Sequence, residues 1–388
     1  MCGMGTFPLS CGPSHLAASC EENDRRGLSN LPIIAMMRAR TTLFLACCLM
    51  MGCSDRPTGP ALEGGSDAAS DDATAMDHCV ADVYEGKPLP IDLYVVADGS
   101  EAANCPLGQW CISDGGLPPP GETRWANVTS AIERFAAAPG GSSVGLALFP
   151  RFSDGGNAVS CVGDDYAAPD LPFGASVDAI TNLLGARTPR GDWLLQAALG
   201  GALGYARTYA EANHDRQTVV ALVTHGSDTH ACREDTFASM QMASDGFAAT
   251  PSIKTAIIAL LPCLGSLIEL GWAGGSRVYG INRRSLDARA ETLAALNEVA
   301  APCVYPVPET PTPMRTRNAL GLQVRLGPAG VFSNISRVDD PAHCAVEENG
   351  WFANNNVNPS RVTLCPAACR SMTMTPGSAV QLVVGCLP

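Results

Sequence analysis

The fold is decided by residues 91–100, which read Ile-Asp-Leu-Tyr-Val-Val-Ala-Asp-Gly-Ser. Their apolar run stops at Asp98, Gly99 and Ser100, and so short a run bounded by turn residues is typical of a strand buried on both faces. Ligands of open α/β sheets bind beyond the carboxyl ends of the strands, where Asp98 and Ser100 are expected. Their oxygens are of the kind that Mg²⁺ or Mn²⁺ prefers, although the same residue types also cap turns without any ligand.

Strand and helix patterns alternate after this stretch. Such alternation predicts parallel strands joined by right-handed crossovers. We therefore predict an α/β fold over residues 90–301, a Rossmann-like, mostly parallel sheet with helices on both faces. No glycine-rich dinucleotide or P-loop motif follows the first strand. Further strands are expected at 144–149, 218–224, 253–261 and 277–281, and helices at 125–138, 177–184, 194–212, 235–247, 264–272 and 286–300.

The domain resembles a von Willebrand factor type A domain. In that family the first strand ends in the Asp-x-Ser-x-Ser loop of a metal-ion-dependent adhesion site, and the resemblance implies a protein-binding rather than a catalytic role. The features that carry it are Asp98 and Ser100, Arg124-Trp125 before the first helix, the helix at 199–207 and the strand at 219–226.

The metal site departs from the family pattern at three of its five positions. Ala102, Trp193 and His225 stand where the family has Ser, Thr and Asp. Alanine and tryptophan offer no ligand atom and histidine offers a nitrogen, whereas Mg²⁺ demands six oxygens in near-octahedral geometry. We expect Asp98, Ser100 and His225 to form a remnant of the site.

Two outcomes stay open for this remnant. Asp192, Thr188 or Asp228 would have to replace the missing ligands if Mg²⁺ or Mn²⁺ binds through Asp98 and Ser100. Otherwise Asp98 hydrogen-bonds His225 or backbone amides in a metal-free site, and the protein has no cofactor.

Two further motifs are weighed and set aside. His225, His230 and Cys232 lie close together, but their spacing matches no zinc pattern. Residues 190–192 spell Arg-Gly-Asp, the tripeptide that integrins recognise, which we attribute to chance.

The amino-acid composition limits the chemical class of the partner and the cellular compartment of the protein. The 388 residues carry a net charge of −13, which argues against nucleic acid as a partner. The 17 cysteines point to an oxidising compartment. They include no Cys-x-x-Cys pair, so a structural zinc site is not expected.

The amino-terminal part predicts export. Residues 1–36 are unstructured or lie upstream of the true start, and residues 37–53 resemble a bacterial lipoprotein signal that ends at Cys53. We expect lipidation of Cys53, membrane attachment through this anchor alone, and sorting to the outer membrane of the cell envelope. The alternative is an ordinary signal peptide with Cys53 unmodified. Residues 54–89 are predicted to be a flexible acidic linker.

Residues 302–388 form a Cys-rich module with short strands, expected at 320–326, 331–338, 361–364 and 379–384. Gly350-Trp351-Phe352 is a candidate contact patch, although burial of Trp351 is the favoured interpretation. The Gly-Trp-aromatic, Asn-Pro and Leu-Cys-Pro-x-x-Cys stretches resemble an extension that follows type A domains in exported myxobacterial proteins. Disulfides are expected among five cysteines, Cys303, Cys344, Cys365, Cys369 and Cys386.

These observations predict a non-enzymatic, lipid-anchored envelope protein of the binding or adhesion type, whose unknown protein ligand contacts the strand ends. One alternative is a structural envelope lipoprotein whose type A domain no longer binds a ligand. Another is a secreted hydrolase that uses His225 with Asp98.

Overall fold

The computed structural model describes residues 82–107, 123–153, 158–225, 232, 235–260, 265–281, 285, 287–308, 320–339, 343–344 and 349–385. All of them belong to one compact unit, residues 79–388. The predictions for residues 1–81, including the signal peptide and Cys53, lie outside the described residues, as do those for Asp228, His230 and Cys386.

Thirteen strands and seven α-helices, with two short 3-10 helices, make up the described part of the chain. The strands are β1 Asp82–Gly86, β2 Ile91–Asp98, β3 Ser143–Phe149, β4 Gln217–Thr224, β5 Lys254–Ala259, β6 Val278–Gly280, β7 Val304–Pro306, β8 Leu320–Arg325, β9 Ser333–Asn334, β10 Ser336–Arg337, β11 Gly350–Ala353, β12 Arg361–Leu364 and β13 Ala379–Val384. The helices are α1 Arg124–Ala137, α2 Val177–Ala186, α3 Leu195–Ala212, α4 Thr236–Ala248, α5 Leu267–Ala273, α6 Ala288–Val299 and α7 Pro366–Met374.

The central sheet has five parallel strands in the order β3-β2-β4-β5-β6. Strand β2 lies in its interior, and all eight of its residues are buried. Because parallel strands run in one direction, Asp98 at the end of β2 lies beside Phe149 at the end of β3 and near the end of β4.

Helices cover both faces of this sheet. Alternate residues of β2 point in opposite directions, as the two-residue period of a strand requires. Leu93 and Val95 pack in one core with α1, α2 and α6, whereas Tyr94 and Val96 pack in a second core with α3, α4 and α5. The predicted α/β fold with a Rossmann-like parallel sheet is confirmed.

A small module with two four-stranded sheets contains the Cys-rich part of the chain. The sheets have the orders β1-β13-β8-β9 and β10-β11-β12-β7. Their shared core includes Tyr305, Leu322, Trp351 and Leu382, and Trp351 is only 1% exposed. The structure therefore confirms the favoured interpretation that Trp351 is buried.

The first strand of this module comes from a part of the sequence that we predicted to be linker. Within residues 54–89, Asp82–Gly86 forms β1, which pairs antiparallel with β13 and places Tyr84 opposite Leu382. The linker prediction is wrong at these residues because Tyr84 packs against the module core. The surrounding acidic and small residues gave no local pattern that would reveal this single half-buried aromatic side chain.

One other local prediction in the module is corrected, and two further elements had not been predicted. The single strand predicted at 331–338 is divided into β9 and β10, which belong to different sheets and flank Ile335, a residue that packs against the core. The Gly350–Ala353 stretch is a strand. Pro366–Met374 is a helix with proline in its first turn, a position that tolerates proline because the missing N–H has no helical partner there.

Disulfides join four of the five predicted cysteines as Cys303–Cys369 and Cys344–Cys365. The module meets the α/β domain through β12 and β11. Arg361 donates to the carbonyl oxygen of His214 at 2.7 Å, and the rings of Phe352 and Phe247 lie 5.9 Å apart. Because His214 comes just before β4, the module lies at the amino ends of the parallel strands, the edge opposite Asp98.

Candidate functional site

The carboxylate of Asp98 is the centre of the candidate site. It is completely buried at the carboxyl end of β2. Its Oδ1 accepts the Ser100 backbone N–H at 2.9 Å, and its Oδ2 accepts the His225 backbone N–H at 2.9 Å and the Thr224 hydroxyl at 3.2 Å. Backbone and hydroxyl donors from two neighbouring strand ends therefore hold this charge in place.

Trp193 extends this network from the loop before α3. Its indole Nε1 donates to Thr224 Oγ1 at 2.7 Å. Trp193 stands where the type A family that the domain resembles has a metal-binding threonine. The network around the carboxylate is therefore extended by an indole N–H at the position of that threonine. The sequence predicted the loss of the ligand, but it did not predict this contact.

His225 lies beside Asp98, as predicted, but the contact is made by its backbone. Its side chain is completely buried, and neither ring nitrogen has a hydrogen-bond partner among the described residues. Burial lowers the pKa of His225 to about 4, an effect that the nearby Asp98 carboxylate partly opposes. The imidazole is therefore neutral at pH 7.

Two arginines lie close to Asp98, and sequence reasoning gave them no role in the site. Arg124 at the start of α1 is buried and donates through Nη1 to the His225 carbonyl oxygen at 3.3 Å. Arg187 donates through Nη2 to the Pro150 carbonyl oxygen at 2.7 Å. Burial lowers the pKa of each guanidinium, whereas the Asp98 carboxylate raises it.

Gly99 is the local reason that Arg187 can approach. A Cβ atom at Gly99 would lie 2.9 Å from Arg187 Nε, closer than such contacts normally come. Gly99 is the one signal in the sequence for this approach, but a glycine after Asp98 is equally typical of any turn.

These residues do not fit Mg²⁺ or Mn²⁺. Asp98 and the Ser100 hydroxyl, which is buried without a partner in the described part of the chain, supply far fewer than the six oxygens that Mg²⁺ requires, and both Asp98 oxygens also accept hydrogen bonds from the protein. The side chains of the suggested substitutes Asp192 and Thr188 are exposed. No group of three His, Cys, Asp or Glu side chains among the described residues is placed to hold a metal.

The surface around Asp98 has exposed charged and aromatic side chains, and we call it the rim. Its members are Arg190, Asp192 and Phe237, the last of which is 69% exposed on the first turn of α4. The amide of Asp235, the cap of α4, donates to Gln196 on the first turn of α3 at 2.8 Å, which places the start of α4 beside the start of α3.

The Arg-Gly-Asp order on the rim has a packing reason. Gly191 has a φ of +80° and its α-carbon faces the ring of Phe152, so a side chain there would be strained and would meet the ring. The Arg190 guanidinium lies 4.2 Å from the centre of the same ring, within the range of a cation–π contact.

A disulfide joins two loops near the rim. Cys232, from the zinc candidate of the sequence, pairs with Cys161. A cysteine in a disulfide supplies no thiolate, so the zinc set of His225, His230 and Cys232 is lost. No local pattern predicts this pairing, because the partners are 71 residues apart.

No known protein family and no curated protein matches the chain. Similar solved structures include an aerotolerance-related membrane protein from Bacteroides fragilis, with 12% identity, a TM-score of 0.36 and coverage of 54% of this chain and 98% of that one. The VWA domain of SpRpn10 has 12% identity, a TM-score of 0.35 and coverage of 52% and 93%. A von Willebrand factor type A protein from Catenulispora acidiphila has 10% identity, a TM-score of 0.41 and coverage of 80% and 65%.

TM-scores below 0.5 do not show that two proteins belong to the same family. The resemblance to type A domains therefore continues to rest on the strand order and on the residues at the strand ends of this chain.

Proposed function

We propose that the α/β domain is a non-enzymatic binding module of the type A class that contacts a protein ligand at the rim without a metal ion. The observation that carries this proposal is the Asp98 carboxylate, whose two oxygens already accept three hydrogen bonds from the protein. A carboxylate that these donors stabilise, and that acts on the buried Arg124 guanidinium, does not need a cation. The rim beside it offers the exposed Phe237, an aromatic anchor of the kind found at protein interfaces.

The hydrolase alternative lacks its central contact. A histidine base needs a carboxylate or carbonyl that orients its ring. Asp98 instead accepts the backbone N–H of His225, and both ring nitrogens are buried without a partner in the described part of the chain. This arrangement favours a structural role for His225.

A metal titration tests the first part of the proposal. We expect up to millimolar Mg²⁺ or Mn²⁺ to leave the thermal unfolding midpoint of the full chain unchanged, because a ligand stabilises only a protein that binds it in the folded state. Ser100→Ala should respond in the same way as the unmodified chain. A saturable rise in the midpoint that Ser100→Ala abolishes would contradict the proposal.

A restored site provides the positive control for this titration. The variant Ala102→Ser, Trp193→Thr and His225→Asp returns all three family residues, and Mg²⁺ should stabilise it. If this variant responds and the unmodified chain does not, the unmodified site has lost metal binding through these substitutions.

A capture experiment tests the rim. We expect the full chain to retain a specific protein from an envelope extract equally well with and without EDTA, and Phe237→Asp to lose it by introducing an unpaired charge into the contact. Trp272→Asp is the matched control, because Trp272 is 51% exposed on the last turn of α5, near the amino edge of the sheet. Release by EDTA, or equal loss in both variants, would overturn the rim proposal.

Absence of any specific capture would favour the alternative of a structural envelope protein. Phe237 would then be expected to tolerate Asp with no effect beyond a small change in stability, since surface substitutions are normally within about 0.5 kcal/mol.

We also propose export and lipid anchoring at Cys53. Support comes from the signal pattern at 37–53 and from the disulfides, which persist in oxidising compartments. No helix in the described ranges has the length and apolar character needed to cross a bilayer. Mass analysis of the mature amino-terminal peptide tests this, and Cys53→Ser should release the protein from the membrane fraction.

A further inference from the structure

Two neighbouring loops of the small module form an exposed apolar surface, which we call the tip. One loop, residues 326–332, joins β8 to β9, and the other, residues 374–378, leads from the last residue of α7 to β13. The amide of Gly327 donates to Ser378 Oγ at 3.1 Å, and a Cβ atom at Gly327 would lie 3.6 Å from Thr375 Cγ2. The two loops are therefore in contact.

The tip has no charged side chain, and its large apolar side chains are exposed. Residues 326–332 read Leu-Gly-Pro-Ala-Gly-Val-Phe and residues 374–378 read Met-Thr-Pro-Gly-Ser. Val331 is 87% exposed, Met374 75% and Leu326 49%. Single exposed apolar side chains are normal on a protein surface, but a group of them on adjoining loops is typical of a surface that contacts a protein or a membrane.

Both loops are tight turns, so the tip is already formed in the free protein. In the first loop, the amide of Gly330 donates to the Gly327 carbonyl oxygen at 3.4 Å. In the second, the amide of Ser378 donates to the Thr375 carbonyl oxygen at 3.2 Å across a proline and a glycine, the residue types that a type II turn prefers at these positions. Because these turns have little freedom left to lose, little conformational entropy opposes binding.

Cationic side chains border the tip. Strands β1 and β8 are both antiparallel to β13, so both run towards the tip. Strand β8 ends at Arg325 and the exposed Lys87 directly follows β1, whereas Glu85 is the carboxylate of these strands that lies nearest to the tip. Residues 320–338 and 349–385, which include both loops, contain four arginines and no acidic residue, although the net charge of the chain is −13. This border complements an anionic lipid surface.

We propose that the tip inserts into the headgroup region of a phospholipid membrane. Leu326, Val331 and Met374 enter the boundary between headgroups and acyl chains, and Lys87 and Arg325 contact anionic headgroups. A neutral apolar loop beside cationic side chains suits this boundary, where apolar and charged groups of the lipid meet. Insertion at this depth leaves the backbone of the turns within reach of water and headgroups, so that its polar groups keep hydrogen-bond partners.

The tip and the proposed anchor at Cys53 reinforce each other. Residues 54–81 separate Cys53 from β1, and a tether of this kind holds the module at a high effective concentration near the membrane. A weak contact at the tip is therefore enough to fix the orientation of the molecule. The module lies at the edge of the central sheet opposite Asp98, so attachment through the tip leaves the rim free. The membrane contact does not depend on what the rim binds.

Flotation with lipid vesicles tests the proposal on the full chain carrying Cys53→Ser, in which no acyl chain contributes. We expect this chain to float with vesicles of phosphatidylethanolamine and phosphatidylglycerol, and to bind more weakly to neutral vesicles of phosphatidylcholine. Val331→Glu in this chain should weaken binding about tenfold or more, because an apolar contact is replaced by a charge. Val357→Glu is the matched control, since Val357 is 85% exposed between β11 and β12, and it should bind unchanged.

A second pair of substitutions tests the cationic border. Lys87→Gln combined with Arg325→Gln should reduce binding to the anionic vesicles to the level of the neutral ones. The thermal unfolding midpoints of all variants should match that of the parent chain, since surface substitutions have small effects on stability. Absence of flotation, or equal flotation of Val331→Glu and Val357→Glu, refutes the proposal. Self-association that Val331→Glu abolishes, without flotation, also refutes it and assigns the tip to a contact between copies of this chain.

Discussion

Replacing Asp98 with alanine is expected to lower the free energy of unfolding by about 4 kcal/mol, because removal of one partner of a buried charge pair leaves the other without compensation. Arg124 is only 3% exposed and its charge is favoured by Asp98. The substitution also removes the acceptor for the Ser100 and His225 amides and for the Thr224 hydroxyl. Urea unfolding of the full chain measures the loss.

Asp178→Ala is the matched control for this measurement. Asp178 is exposed in the first turn of α2, where it contributes through the helix dipole. Removal of the Asp178 carboxylate should lower the free energy of unfolding by less than about 1 kcal/mol. If Asp98→Ala lowers the free energy of unfolding by no more than Asp178→Ala does, Asp98 is not the electrostatic centre of the strand ends.

Lowering the pH from 6.5 to 4 is expected to cost about 3 kcal/mol of stability through His225 alone. Its pKa falls from an ordinary value of 6.5 to about 4 in the folded protein because the ring is buried. Between these values the unfolded chain binds a proton that the folded chain does not, so stability falls as the pH falls. Above pH 6.5 both states are neutral, and His225 adds no pH dependence.

The contribution of His225 is isolated by comparing variants, since carboxylates also titrate in this range. The stability of His225→Gln should depend less steeply on pH between 4 and 6.5 than that of the unmodified chain. His214→Gln is the control, because His214 is exposed. Equal pH profiles for all three proteins would show that the imidazole is not held neutral by burial.

The sheet was predictable from the sequence because its signal is local. Residues 91–98 are continuously apolar apart from Asp92 and the terminal Asp98, and a strand buried on both faces requires such a run. Asp92 fits because its carboxylate pairs with Arg216, with Nη2 2.7 Å from Oδ1. That partner lies more than a hundred residues away, and no local pattern reveals it.

The surroundings of Asp98 were predictable only in part for the same reason. The missing ligands Ala102, Trp193 and His225 can be read from the chain, and their proximity follows from strands that end at one edge. The contacts that replace the ligands cannot be predicted from the sequence, because they depend on the conformation that each side chain adopts in the folded protein. The indole nitrogen of Trp193 donates to Thr224, and the Arg187 side chain packs against the backbone of Gly99. Strand β1 escaped prediction because its pairing partner is β13, at the other end of the folded part.

Strand β1 also determines how mechanical force would travel through the molecule. Only four residues separate it from β2, which runs directly to Asp98 between β3 and β4. A pull between the proposed anchor and a partner held at the rim would therefore be transmitted along this central strand. Its ladders with both neighbours would be stretched lengthwise, so that many backbone hydrogen bonds resist together and do not open one after another. A protein with this strand arrangement is suited to staying folded and bound to a partner under tension.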